Sequence, residues 1–268
     1  MKTKFLFFSL ISFILMNVYG FAQSSRNPIP KMNKKMYKHF LETNCVYTEN
    51  SLKAGEEGTV EINFYTDKSG NVISKRIIKS VNNELDKEAL RLFNLIEWEP
   101  ALDYGIPIEG NASFELTFKV KKYNKILKRR TNFPKKLDLA YDTSYHIYGI
   151  KQIDTIAEPI LPRGINNLYK YIYSEMHYPK QAVELGIEGK VIINFVIETS
   201  GLPSNIIVEQ TVGGGCTEEA LRIVSDIKWV AAIKNGKVVR SRKQLFIEFR
   251  LALDGNGNYI PNQTNSGF

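Results

Sequence analysis

The chain is poor in the residues that do chemistry. It has three histidines and two cysteines among 268 residues. His39, His146 and His177 lie far apart, and a zinc site built on Cys45 and Cys216 has no histidine partner at ligand spacing. No serine or cysteine has a visible base and orienting partner. Glu218 and Glu219 read as helix-start acids, so no catalytic residue is assigned and no enzyme activity is expected. The glycine-rich run Val212–Cys216 lacks the Lys-Ser/Thr pair of a phosphate loop. The Asp254–Asn258 segment, DGNGN, lacks the glycine and the glutamate that a calcium loop places further on. No metal and no cofactor are expected.

Strong charge of one sign is also missing. Thirty-six basic residues against 28 acidic ones give +8, a mild bias towards anionic surfaces. The one long apolar run, Phe5–Met16, is shorter than the roughly 20 residues a membrane span needs. With Lys2 and Lys4 ahead of it and Gly20-Phe21-Ala22 behind, residues 1–22 read as a secretory signal cleaved before Gln23. An uncleaved N-terminal anchor in the inner membrane is the alternative. Export argues against a nucleic-acid partner.

What the chain does have is a repeat. Shifted by 131 residues, Tyr47–Lys119 aligns with Tyr178–Arg250 without a gap, and 20 positions are identical. Gly55, Glu57 and Gly58 fall on Gly186, Glu188 and Gly189. Asn63-Phe64 falls on Asn194-Phe195, Glu88–Arg91 on Glu219–Arg222, and Trp98 on Trp229. Such self-similarity marks a duplicated domain. The cysteines sit at non-equivalent positions of different copies, which disfavours a bridge.

Each copy has the same grammar. Val191, Ile193, Phe195 and Ile197 alternate with their neighbours, as do Val60, Ile62 and Phe64, which predicts a strand with one buried face. A Ser-Gly turn leads to a second strand. Asp86 and Thr217 are read as N-caps of a helix. Its apolar stripe is Ala89, Phe93 and Ile96 in one copy and Ala220, Val224 and Ile227 in the other. A third strand closes each unit, and a helix precedes each. The fold class is therefore α+β: two tandem α-β-β-α-β domains, each a small three-stranded antiparallel sheet with two helices. The expected boundaries are 23–120 for the first domain, 121–157 for a basic linker, 158–254 for the second domain and 255–268 for a polar tail.

These residues resemble the TonB C-terminal domain family. The second copy carries the pattern best, in Pro159, Pro162, Gly164, Tyr178-Pro179, Ala182, Gly189, Phe195, Gly201, Glu219–Arg222, Trp229, Gly236-Lys237 and Phe249. The first is divergent: Thr48 stands where the second copy has Pro179. The resemblance implies a periplasmic domain that grips an extended segment of an outer-membrane TonB-dependent receptor, or of another envelope protein, by adding it to a sheet edge. The expected edge is the third strand, at Lys243, Gln244, Leu245, Phe246, Ile247, Glu248 and Phe249. Tyr178, Pro179, Gly189, Phe195, Gly201, Trp229 and Gly236 are expected mainly to hold the fold. An energy transducer of this family has a membrane helix and a proline-rich spacer, and the signal-like start without that spacer points instead to an adaptor. A structural envelope protein remains the alternative, one that dimerises or binds peptidoglycan. The basic run 121–136 is a candidate contact with peptidoglycan or an anionic envelope surface.

Overall fold

A computed structural model describes residues 25–129 and 137–261. The expected signal segment, residues 130–136 of the basic run and the end of the tail lie outside the described residues.

The first copy opens with β1 (Ile29–Pro30) and α1 (Lys34–Asn44). Asn33 starts α1 by accepting from the Met36 N–H, and Phe40 is buried on its inner stripe. Thr48 caps a single turn, α2 (Glu49–Lys53). β2 (Gly58–Thr66) buries the alternating Val60, Ile62 and Phe64, and β3 (Val72–Lys79) returns beside it. α3 (Asn83–Leu95) lays Leu85, Ala89, Leu92 and Phe93 on the sheet. After β4 (Trp98–Glu99), which pairs with β1, a hairpin of β5 (Ala101–Asp103) and β6 (Ile106–Ile108) leads to β7 (Gly110–Phe118). The sheet order is β3-β2-β7, all antiparallel. α4 (Val120–Arg129) then turns back beside α1.

The described residues of the segment expected as a linker form regular elements. These are α4, β8 (Ala140–Tyr141), β9 (Ile147–Tyr148) and a 3₁₀ turn at Ile150–Gln152. β10 (Glu158–Pro159) follows and begins the second copy as β1 begins the first. Next come α5 (Leu168–Glu175), α6 (Lys180–Glu184), β11 (Gly189–Ile197), β12 (Pro203–Gln210) and α7 (Cys216–Asp226). β13 (Trp229–Val230) pairs with β10, and β14 (Ala232–Lys234) turns into the long β15 (Lys237–Phe249). The turn residues Asn235 and Gly236 both have positive φ, 48° and 69°, as two-residue hairpins require. β16 (Leu251–Leu253) and β17 (Tyr259–Pro261) close the described chain as a small hairpin, whose turn is held by the Asp254 carboxylate accepting from Asn256 and Asn258.

Two details differ from expectation. The helix caps are Asn82 and Gly215, not Asp86 and Thr217. Those two side chains instead bind the end of the preceding strand, Asp86 accepting from the Val81 N–H and Thr217 from the Val212 N–H. Both lie within the first turn of their helices, where a side chain can reach back to the incoming chain. The alternation Phe114-Leu116-Phe118-Val120 and Leu245-Ile247-Phe249-Leu251 also predicts third strands reaching Val120 and Leu251, whereas they end two residues earlier, at Phe118 and Phe249, because α4 and β16 follow.

Each copy buries its own core between sheet and helices. Met36 of the first copy joins the core of the second, so the copies are packed together. Cys45 is half-buried and Cys216 fully buried, and no disulfide joins them.

Candidate functional site

The shared motif residues make the same contacts twice. Glu88 and Glu219 each accept from the backbone N–H of the segment entering the domain, at Val46 and His177, both at 2.7 Å. Arg91 and Arg222 bind those carboxylates and the carbonyls of Asn44 and Glu175. Tyr47 and Tyr178 donate to the carbonyls of Glu56 and Ile187, and each stacks edge-on against Phe118 or Phe249 at 5.4 Å. Burial pushes both hydroxyls up to about 12. A Cβ on Gly58 or Gly189 would lie 2.7 or 2.8 Å from a methyl of Val81 or Val212. The Trp229 N–H donates to the Gly201 carbonyl at 2.9 Å, and its indole meets Phe195 in the core. Pro179 packs beside Gly215 at the start of α7. These contacts tie the entering segment, the main helix and the strands of each copy to one another.

The structure places Lys243–Phe249 in β15, paired along one side with β11 from Ile193↔Leu245 to Gly189↔Phe249. Leu245, Ile247 and Phe249 point into the core. Lys243 lies on that face too, its ammonium 5.5 Å from the Trp229 ring, and burial lowers its pKa. Gln244, Phe246 and Glu248 face outward, with Gln244 donating to Glu209 and Phe246 40% exposed beside Lys190.

The other side of β15 is part covered. β8 pairs in parallel with Lys237–Val238 and β9 with Arg240–Ser241. Ser241 also pairs with Ile197 of β11, so β9 occupies the side opposite β11. The Val238 carbonyl accepts there from the Asp142 N–H. Backbone groups alternate along a strand, so Arg242, Gln244, Phe246 and Glu248 turn theirs the same way. Glu248 already has a neighbour: Tyr173 of α5, whose pKa is raised by burial and by the Glu248 charge and drawn back by the Glu248 N–H. Among the described residues, no strand pairs with this side beyond Ser241.

β7 repeats the register, with Gly58↔Phe118 matching Gly189↔Phe249. Its outward groups are therefore those of Asn111, Ser113, Glu115 and Thr117. Among the described residues, no strand lies against its outer side anywhere along its nine residues. An edge of this kind leaves strong donors and acceptors without partners.

A family model described as the Gram-negative bacterial TonB protein C-terminal matches residues 43–120 and again 174–251. The chain belongs to that family. Two TonB C-terminal domains thus stand in tandem, and the family is one of non-catalytic protein-interaction domains of the Gram-negative envelope. No curated protein matches the chain. Among the described residues, no helix is long and apolar enough to cross a membrane.

The joint between the two TonB C-terminal domains was not visible in sequence. Arg240 and Glu198 form a buried ion pair, with Nε–Oε2 and Nη2–Oε1 distances of 2.8 Å. Arg240 also donates to the Leu95 carbonyl at the end of α3 and to the Tyr145 carbonyl before β9. Asn205, buried at a bulge of β12 with φ 45°, donates to Leu95 and accepts from the Glu97 N–H. Arg242 reaches Glu97 at 2.9 Å. The hint in sequence was that Arg240 aligns with Glu109, a reversal of charge, and Asn205 with Ser74, while Glu198 and Asp67 stay acidic.

Proposed function

We propose that this chain is a periplasmic adaptor of the TonB type that takes hold of extended segments of outer-membrane transport proteins by strand addition. The observation that carries the reading is the incomplete outer side of β15. Its first residues already accept strands from the chain's own β8 and β9, in parallel, and among the described residues no strand pairs with Arg242, Gln244 and Phe246 beyond them. A peptide laid along 243–249 would continue the pairing that β8 and β9 make at 237–241, and its alternate side chains would meet Phe246 and its neighbours. The signal-like start and the envelope family favour export, which N-terminal sequencing of the secreted chain checks.

The decisive experiment follows the backbone amides during titration with receptor-derived extended peptides. Shifts along Arg242–Phe249 are expected. A full panel that leaves these amides unmoved, and those of β7 as well, would remove the adaptor reading.

The bare side of β7 favours a second reading, in which two copies of the chain pair edge to edge as a structural envelope dimer. Sedimentation mass separates the two. The basic helix α4, with exposed Lys121, Lys122, Lys125 and Lys128, is the surface this reading would offer to peptidoglycan, and a cell-wall pull-down tests it.

A further inference from the structure

The two third strands differ in what lies beside them. Next to the end of β7, α1 and α4 enclose a groove of about 330 Å³. Tyr37, Leu41, Tyr47, Leu116, Tyr123 and Ile126 form its walls. Lys34, Lys38, Lys119 and Lys122 stand on its rim, against two acids, Glu42 and Glu115. Glu42 is engaged by Lys122 at 3.2 Å. Further lysines at 35, 121 and 125 extend the cationic border along both helices. Inside the groove, burial first and the Glu115 charge second hold the Tyr37 hydroxyl protonated far above its usual range. The site is therefore apolar within, positive around the rim, and bordered on one side by the outward backbone groups of Glu115 and Thr117.

That combination selects among occupants. A hydrocarbon chain with an anionic head would fill the apolar walls and meet the lysines, but it would leave the strand's donors and acceptors without partners. An extended peptide satisfies all three features, because its backbone pairs with β7 while side chains on one face enter the groove. We infer that the first copy binds an extended acidic peptide segment along Asn111–Thr117, with an apolar side chain seated between Tyr37, Leu41 and Ile126 and flanking carboxylates against Lys38, Lys119 and Lys122. This rests on the strand-addition reading above and assigns it a second place, in the first copy, and a ligand chemistry. The second copy has no counterpart of α4, since β16 and β17 follow its third strand.

The test uses the whole chain and two ten-residue peptides. One alternates Val and Leu with Asp and Glu, and its twin carries Lys in place of each acid. The acidic peptide is expected to shift the amides of 111–117 and to bind at least about tenfold more tightly than its twin, with an affinity that falls as salt screens the rim. Ser113→Pro should abolish this binding. The Ser113 N–H points away from β2, so proline there removes no bond of the β2–β7 ladder. Gln244→Pro, at the equivalent place in β15, acts on the other edge and should leave the acidic peptide's shifts at 111–117 in place. The double change Lys38→Glu with Lys119→Glu should weaken it about tenfold without touching the strand, which keeps the test open if the proline variant fails to fold. Loss with Gln244→Pro but not with Ser113→Pro would overturn the assignment to the first copy and leave strand addition standing. Silence of both strands towards every peptide would overturn both. Binding of phosphatidylglycerol vesicles through the same lysines, with no response to either peptide, would make the groove a lipid contact and overturn the inference.

Discussion

The two copies share a hydrogen-bonding scheme and differ at their margins. Glu88 and Glu219, Arg91 and Arg222, and Tyr47 and Tyr178 make matching bonds, so the duplicated motif describes one way of tying a sheet to its helices. The margins have diverged. β12 is buried at Pro203–Ile206 under the first copy, whereas the equivalent part of β3 exposes Ile73 and Lys75. β15 is lined in part by β8 and β9, whereas β7 is bare on its outer side among the described residues. Duplication preserved the scaffold and left the surfaces free to take different work.

Four substitutions sharpen this contrast. The largest effect is expected at Arg240→Ala. Removing one partner of a buried ion pair leaves Glu198 uncompensated and the Leu95 carbonyl with one donor fewer, at a cost of about 3–5 kcal/mol. The equivalent Glu109→Ala, on an exposed residue of the first copy, should stay within about 0.5 kcal/mol. Urea unfolding compares the two, and limited proteolysis should show the copies separating only in the first variant. A smaller effect is expected at Asn82→Ala, which removes the side-chain cap of α3 and should cost about 1 kcal/mol. α7 begins at Gly215 without a side-chain cap, so the second copy has no matching loss.

The smallest effect concerns acid. Burial alone would push the Glu219 carboxyl up, but the Arg222 bonds, the His177 N–H and the Arg222 charge together hold it below the usual range. A carboxyl whose pKa is depressed on folding contributes stability above its unfolded pKa, and that contribution disappears as pH falls through the folded value. Glu219→Gln should therefore lower stability near neutrality and flatten its decline in acid. Thermal unfolding followed from pH 7 downwards measures both, and an unchanged acid slope would remove Glu219 from the account.

Strand and helix positions were legible because Val60, Ile62 and Phe64 and their counterparts alternate cleanly, and the register of the repeat carried from one copy to the other. Gly189 and Trp229 stood out for the same reason: both belong to what the copies share. The caps were misassigned because Asp86 and Thr217 have good capping side chains and only their geometry shows them reaching back to the strand end. The strands of 140–141 and 147–148 were missed because two residues carry no periodicity. The Glu198–Arg240 joint is a contact over 42 positions between charged residues, whose burial depends on how two domains meet. Sequence patterns within one domain carry no information about that meeting.

The joint has a mechanical corollary. Because buried Arg240 and Asn205 clasp the end of α3, the outer rims of β7 and β15 are held at one separation, like the jaws of a caliper. A partner offering two extended stretches would be gauged by their spacing. On the strand-addition reading proposed above, stretches that match would engage both jaws, the second attachment being intramolecular and strong for its size, and stretches that do not match would be left with a single hold.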